Sequence, residues 1–139
     1  RNQMPRLSRF LFGDWLKPAH IKFNVNNNTL SSGYIDRKNA RHERKISETE
    51  NGWKVLYKIS GDFTKGFARW ILKPADWKIE NFSIRNENTI LKVNSDKINN
   101  FKLIKSNESL FYMEKSTVPI LIVEFDSECL IETLISFNK

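Results

Sequence analysis

Residues 53–59 read Trp-Lys-Val-Leu-Tyr-Lys-Ile, and this segment decides the fold. Large apolar side chains occupy every second position from the first to the seventh, and two of the three positions between them are lysine. This period of two is typical of a β-strand with one buried face. Asn51-Gly52 stands directly before the segment, and both residues tolerate the positive φ angle of a tight hairpin turn. The sequence therefore predicts a hairpin that leads into a half-buried strand.

Similar strand signals recur on both sides of this segment. Turn residues separate them at intervals of roughly 8–12 residues, which is the spacing of a sandwich or barrel. No window of about 12 or more residues has a helical period. The pattern predicts an all-β fold, an antiparallel β-sandwich of about ten to twelve strands, as a single domain over residues 1–139. Besides 53–59 and a basic strand at 42–46, the predicted strands lie near residues 6–12, 20–25, 29–35, 67–72, 77–84, 89–93, 98–104, 110–113, 118–125 and 130–137.

The chain is long and apolar enough to form a core of its own. It has 139 residues, of which 40% are hydrophobic, and a domain of this size needs no disulfide or metal to fold. Cys129 is the single cysteine, so no intrachain disulfide forms, and its apolar surroundings predict a buried thiol. The longest apolar run, residues 118–123, is too short to cross a bilayer, and we recognise no signal peptide.

The excess positive charge is confined to the first third of the chain. The net charge is +7; residues 1–45 hold ten Lys/Arg and three Asp/Glu, whereas residues 46–139 hold thirteen of each. The densest basic stretch, residues 37–45, would attract polyanions such as nucleic acid, phospholipid head groups or acidic polysaccharide. A solvated loop rich in Lys and Arg accounts for this stretch equally well.

Sequence signatures of catalysis and of metal binding are missing. The five glycines are scattered, so they form no phosphate-binding loop, and no nucleophile elbow occurs. His20 and His42 have no second His or Cys at ligand spacing. We therefore predict no catalytic residue and no metal site in this chain.

Strand geometry singles out candidate binding residues. In a strand, His42, Arg44 and Ile46 share one face, so His42 and Arg44 could bind a substrate carboxylate or sulfate together. A strand with one polar, solvated face explains the same pattern. With the neighbouring basic residues, the predicted substrate-binding set is Arg37, Lys38, Arg41, His42 and Arg44.

Aromatic side chains offer a second way of binding sugars. Tryptophan rings stack on sugars, but they are more often buried in cores because each removes a large area from water. We assign Trp53 and Trp70 to the core and leave the roles of Trp15 and Trp77 open. The hydroxyl of Tyr34 is equally suited to bonding a ligand and to bonding backbone.

Several short motifs follow one another along most of the chain. The first is the Gly33-Tyr34 step, which precedes a basic strand of the form His-x-Arg-x-Ile at residues 42–46. An alternating strand at 53–61 ends in glycine, and an aromatic-x-Leu-x-Pro strand follows at 70–74. The closing segments are residues 109–115, 118–125 and 132–135.

In this order and spacing, the motifs resemble the C-terminal β-sandwich of the heparinase II/III-like polysaccharide lyases. The resemblance covers nearly the whole chain, and each motif alone is weak. Tyr57 departs from the family pattern, because it stands where an Asp is common.

The resemblance carries expectations about the whole protein. Such lyases pair an α/α toroid with the sandwich and cleave uronic-acid polysaccharides by β-elimination. It implies that this domain is a scaffold and a wall of the substrate cleft, with the toroid, the acid–base residues and a zinc or similar divalent metal upstream of Arg1. It implies that the domain alone is inactive. It also implies a bacterial protein that acts on acidic polysaccharide in the periplasm or outside the cell.

Two other functions are compatible with the sequence. A free-standing carbohydrate-binding sandwich would present a flat exposed aromatic platform with residues such as Trp15 and Trp77, whereas a lyase sandwich without its toroid would present a large flat apolar face. A nucleic-acid-binding β domain would use the basic first third and its interleaved phenylalanines, but no OB-fold or RRM signature occurs.

Overall fold

The computed structural model describes residues 16–108 and 115–138, and within these ranges the chain forms eleven β-strands and one 3-10 turn. Every strand pairing is antiparallel, which confirms the predicted all-β sandwich of about ten to twelve strands. The 3-10 turn spans Val25–Asn27. The strands are β1 (Lys17–Asn24), β2 (Thr29–Ile35), β3 (Arg41–Thr49), β4 (Gly52–Ser60), β5 (Gly66–Ile71), β6 (Lys78–Glu80), β7 (Ser83–Arg85), β8 (Thr89–Asn94), β9 (Asn100–Glu108), β10 (Ser116–Phe125) and β11 (Cys129–Phe137).

The strands form one large and one small sheet. The eight-stranded sheet has the order β1-β2-β3-β4-β11-β8-β7-β6, and the three-stranded sheet has the order β5-β10-β9. The strands predicted at residues 6–12 and 110–113 lie outside the described residues.

The core lies between the small sheet and one half of the large sheet. β10 is the middle strand of the small sheet, and its Leu121, Val123 and Phe125 are almost completely buried against side chains of β7, β8 and β11. Ile122, which points the other way, is also buried. The continuous apolar run of this strand is therefore explained by burial on both of its faces.

The other half of the large sheet is not covered by the small sheet. Cross-strand pairs place Phe23, Leu30, Ile46 and Val55 side by side on the same face as the core residues. In the described ranges, no residue of β1, β2 or β3 belongs to the core cluster, and Phe23 is 65% exposed. We call this surface the uncovered face; it consists of Ile21, Phe23, Leu30, Ile46, Trp53 and Val55.

Trp53 lies on the uncovered face and is 42% exposed. Its assignment to the core is therefore wrong, because the three-stranded sheet does not extend over the start of β4. Trp70, on the small sheet, does pack against the core, as predicted.

β1 forms one edge of the large sheet in the described part of the chain. Its pairing with β2 shifts by one residue between Pro18 and His20 and is regular from Ile21 to Asn24. β6, at the opposite edge, has only three residues.

Cys129 is buried at the start of β11, as the sequence predicts. Burial raises the pKa of its thiol to about 11. The group is therefore a neutral thiol at physiological pH, packed in the core cluster beside Ile59 and Ile131.

The hairpin predicted before β4 is present, but its two loop residues are Glu50 and Asn51. Gly52 is the first residue of β4 and has a φ angle of 156°, whereas Asn51 keeps a negative φ. A Cβ atom on Gly52 would lie 1.9 Å from the backbone oxygen of Ile135. Glycine is required here by the close approach of β11 more than by the turn itself.

Replacing Gly52 by Ala should therefore destabilise the fold strongly. The new methyl group meets backbone atoms that belong to a central strand pair, so we expect a loss of more than about 2 kcal/mol in the free energy of unfolding. Urea denaturation measures this loss. Glu50→Ala, at an exposed position of the same hairpin, is the control and should stay within about 0.5 kcal/mol of the parent; similar losses for both variants would contradict the steric explanation.

Candidate functional site

The predicted binding residues are divided by the hairpin that joins β2 to β3. Arg37 and Lys38 lie exposed in its turn. The alternation of β3 then sends Arg41 to the outer face of the large sheet, whereas His42 and Arg44 point to the face that carries the core. The five residues are close in sequence, but they do not form one surface.

Asp36 builds the turn that presents Arg37 and Lys38. Its Oδ1 atom accepts hydrogen bonds from the backbone N–H of Lys38 at 2.8 Å and of Ala40 at 2.9 Å. Asn39 adopts a left-handed conformation with a φ angle of 61°. The carboxylate thus closes the turn on the inside, so the two basic side chains remain on the outside.

His42 is buried at 5% exposure, between this turn and β4. Its Nδ1 lies 2.6 Å from the hydroxyl oxygen of Tyr57, and its Nε2 lies 3.5 Å from Oδ2 of Asp36. The Tyr34 ring stacks on the imidazole with a centroid separation of 4.5 Å and an interplanar angle of 10°. The imidazole therefore connects the turn to the centre of the large sheet through internal contacts.

The two tyrosines and Asp36 are the site residues that the predicted set lacks. Burial raises the pKa of the Tyr57 phenol, so this group is neutral and can donate its proton to Nδ1 of His42. The Nε2 proton of that tautomer then faces the carboxylate of Asp36. A periodicity argument does identify Tyr57 as inward-facing, but only the pairing of β3 with β4 shows that it reaches His42.

Arg44 is the basic residue next to the uncovered face. It is exposed, and its guanidinium carbon lies 5.7 Å from the centroid of the Tyr57 ring. On the same side of β3 it is followed by Ile46, a member of the uncovered face. One cation therefore stands at the border of an apolar surface.

Ion pairs engage some of the charges on the outer face of the large sheet. Arg41 donates to Glu43 at 2.8 Å, and Lys54 contacts Glu132. The hydrogen bond from Lys54 lowers the pKa of Glu132. Within the described residues Arg37 and Lys38 form no ion pair, so both side chains of the turn are available to an anion.

Residues 16–108 and 115–138 bring together no group of three or more His, Cys, Asp or Glu side chains suited to a metal ion. In the same ranges, no helix is long and apolar enough to cross a membrane. The expected upstream metal concerns residues before Arg1 and stays a prediction.

The fold of this sandwich is similar to part of several solved lyase structures. No family model and no curated protein sequence matches the chain. A solved structure of a heparinase III aligns with 89% of this chain and 22% of its own, with a TM-score of 0.66 and 12% identity. Heparan sulfate lyase from Pedobacter heparinus aligns with 88% of this chain and 22% of its own, with a TM-score of 0.63 and 15% identity.

These comparisons confirm the fold that the resemblance predicts. The chain has the β-sandwich found in heparinase III and heparan sulfate lyase structures. It spans about a fifth of the length of those proteins. At this low identity the similarity concerns the fold, and the role of the chain is a separate question.

The contact between Tyr57 and His42 makes a direct prediction. Tyr57→Phe removes the hydroxyl 2.6 Å from Nδ1 and leaves a buried ring nitrogen without that partner. We expect a loss of about 1–3 kcal/mol in the free energy of unfolding, measured by urea denaturation. Thr64→Val removes an exposed hydroxyl and should cost less than about 0.5 kcal/mol. If the two losses are equal, the hydrogen bond does not stabilise the fold.

Proposed function

We propose that this chain is the sandwich domain of a lyase that cleaves uronic-acid-containing acidic polysaccharide by β-elimination. In this proposal it serves as the scaffold and as one wall of the substrate cleft. The observation that carries the proposal is the match of 88–89% of this chain to structures described as heparinase III and heparan sulfate lyase. The bacterial periplasm or the outside of the cell is the proposed location.

The uncovered face supports the proposal that a second domain packs on this sandwich in the whole protein. The matched part is only 22% of the length of those proteins. Phe23, Leu30 and Trp53 expose apolar surface on the uncovered face, and this exposure costs free energy unless another element packs there. The proposed occupant is the toroid, which would also bring the acid–base residues and any divalent metal.

The charges near the uncovered face fit an anionic substrate. β-Elimination removes the proton beside a carboxylate, and positive charge near that carboxylate stabilises the negative charge that develops. Arg44 stands at the border of the uncovered face, and Arg37 and Lys38 extend from the turn at the end of the same strand pair. In the proposed protein these residues hold the chain of substrate, and they transfer no proton.

The proposal is tested by assaying β-elimination with the natural protein that carries this sandwich together with a toroid. We expect that protein to form unsaturated uronic products from a heparan-type polymer, followed by their near-ultraviolet absorbance. The 139-residue chain alone should form none, because we assign no base or acid to it. Absence of elimination from every uronic-acid polymer tested, or elimination by the chain alone, would contradict the proposal.

A matched pair of variants tests the docking surface in the same assay. Phe23→Asp puts a charge on the uncovered face, where docking of the toroid would bury it unpaired, and activity should fall about tenfold or more. Leu130→Asp changes a residue of similar exposure, 51% against 65%, on the opposite face and should leave activity within about twofold. Equal effects would place the toroid elsewhere.

The basic turn, which is the turn between β2 and β3 that carries Arg37 and Lys38, should give the chain a weak, salt-sensitive affinity for acidic polysaccharide. Exposed charge pairs contribute about 0–1 kcal/mol each, so we expect dissociation constants of roughly micromolar to millimolar. Changing Arg37 and Lys38 of the turn together to Ala should weaken retention of the 139-residue chain on heparin. The control, Lys102 and Lys105 changed to Ala on β9, should weaken it less. Equal losses would show that retention follows overall charge.

A further inference from the structure

A groove with two tryptophans opens at the end of the sandwich remote from the basic turn. It has a volume of about 430 Å³ and lies between the end of β5, the start of β8 and the end of β11. Small-molecule sites in proteins occupy roughly 300–1,000 Å³, so the groove is large enough for one sugar ring. β4 runs nine residues from this end to the other, which separates the groove from the turn by roughly 30 Å.

The floor of the groove is aromatic and fixed in position. Trp70 is anchored in β5 opposite Leu121, and both Trp70 and Trp77 pack against the core while remaining partly exposed. The Trp77 indole Nε1–H donates to the backbone oxygen of Lys73 at 3.0 Å, and its backbone N–H donates to Ala75 at 3.1 Å. The rings therefore need little ordering when a ligand arrives.

Polar groups line one side of the same groove. The backbone N–H of Asn138 donates to the oxygen of Asn88 at 3.0 Å, and its Nδ2 donates to the oxygen of Glu87 at 3.2 Å. These bonds hold Asn138 in place. The side-chain amide of Asn88 forms no hydrogen bond to another residue of the described ranges, and Lys73 adds a positive charge that is likewise unpaired there. Donors, acceptors and one cation thus stand on one side of a floor that is otherwise aromatic and aliphatic.

We propose that this groove binds one pyranose ring of an acidic saccharide. A pyranose presents C–H groups on its faces and hydroxyls around its rim, and that distribution matches an aromatic floor beside amide groups. A carboxylate on the ring would pair with Lys73. An apolar peptide would leave the amides of Asn88 and Asn138 without new partners, which makes it the poorer fit.

The site lies outside the cleft wall of the proposed function and does not depend on it. Because it is roughly 30 Å from the basic turn, a single long polymer could contact both. Two weak contacts on one chain raise the apparent affinity through effective concentration. The groove would then hold polymer near the protein whether or not elimination takes place there.

The test is a titration of the 139-residue chain with an unsulfated tetrasaccharide that contains glucuronic acid. Indole N–H signals of the tryptophans are followed by NMR and assigned with Trp→Phe variants. We expect the Trp70 and Trp77 signals to shift, and the Trp53 signal to stay. Trp77→Ala should weaken binding about tenfold, whereas the control Trp53→Ala on the uncovered face should change it less than about twofold.

Two exposed variants keep the test independent of folding. Lys73→Ala should weaken binding of the acidic tetrasaccharide about three- to fivefold and leave binding of a neutral glucan tetrasaccharide unchanged. Asn88→Ala should weaken both. Three results would overturn the proposal: no shift of the Trp77 signal with either saccharide, equal losses for Trp77→Ala and Trp53→Ala, or a Trp77 shift that follows only self-association of the chain or an apolar peptide.

Discussion

The pairing of β4 with β11 is the constraint on which the rest of the structure depends. It joins residues 52–60 to residues 129–137, and without it the strands β1–β4 and the strands β6–β8 would not share a sheet. Closing so long a loop costs entropy that the local hairpins do not. Burial of Ile59 opposite Cys129 and of Tyr57 opposite Ile131 offsets that cost. β3 pairs with the other side of β4, and that pairing brings His42 to Tyr57.

The strands could be predicted from the local sequence, because a strand with one face in water and the other in the core alternates polar and apolar residues. Residues 53–59 show this alternation, whereas the continuous apolar run of β10 reflects burial on both of its faces. The same pattern places Trp53 in the core, although the structure leaves it 42% exposed. Alternation shows which face of a strand is apolar, and it does not show which element covers that face. The extent of the small sheet depends on non-local pairing of β5, β9 and β10.

The candidate site was predictable only in part, because its contacts depend on turn geometry and on the register of neighbouring strands. Charge counting alone identifies the basic stretch, but the hairpin divides it between a turn and two faces. Asp36, followed by Arg-Lys-Asn, carries the signal of a turn closed by a carboxylate, and that signal could have located the division. The contact between His42 and Tyr57 depends on the register of neighbouring strands, and the two-residue loop at Glu50 and Asn51 determines that register.

Within residues 16–108 and 115–138, the large sheet is protected unequally at its two edges, and this has a consequence for handling the protein. β6 is too short to serve as a template for another strand, and the irregular pairing at Pro18–His20 disrupts the first half of β1. The second half of β1 is regular and carries Ile21 and Phe23 on its exposed apolar side. In concentrated solution this half-strand is where two copies would add edge to edge, so a lysine in place of Ile21 should improve colloidal stability.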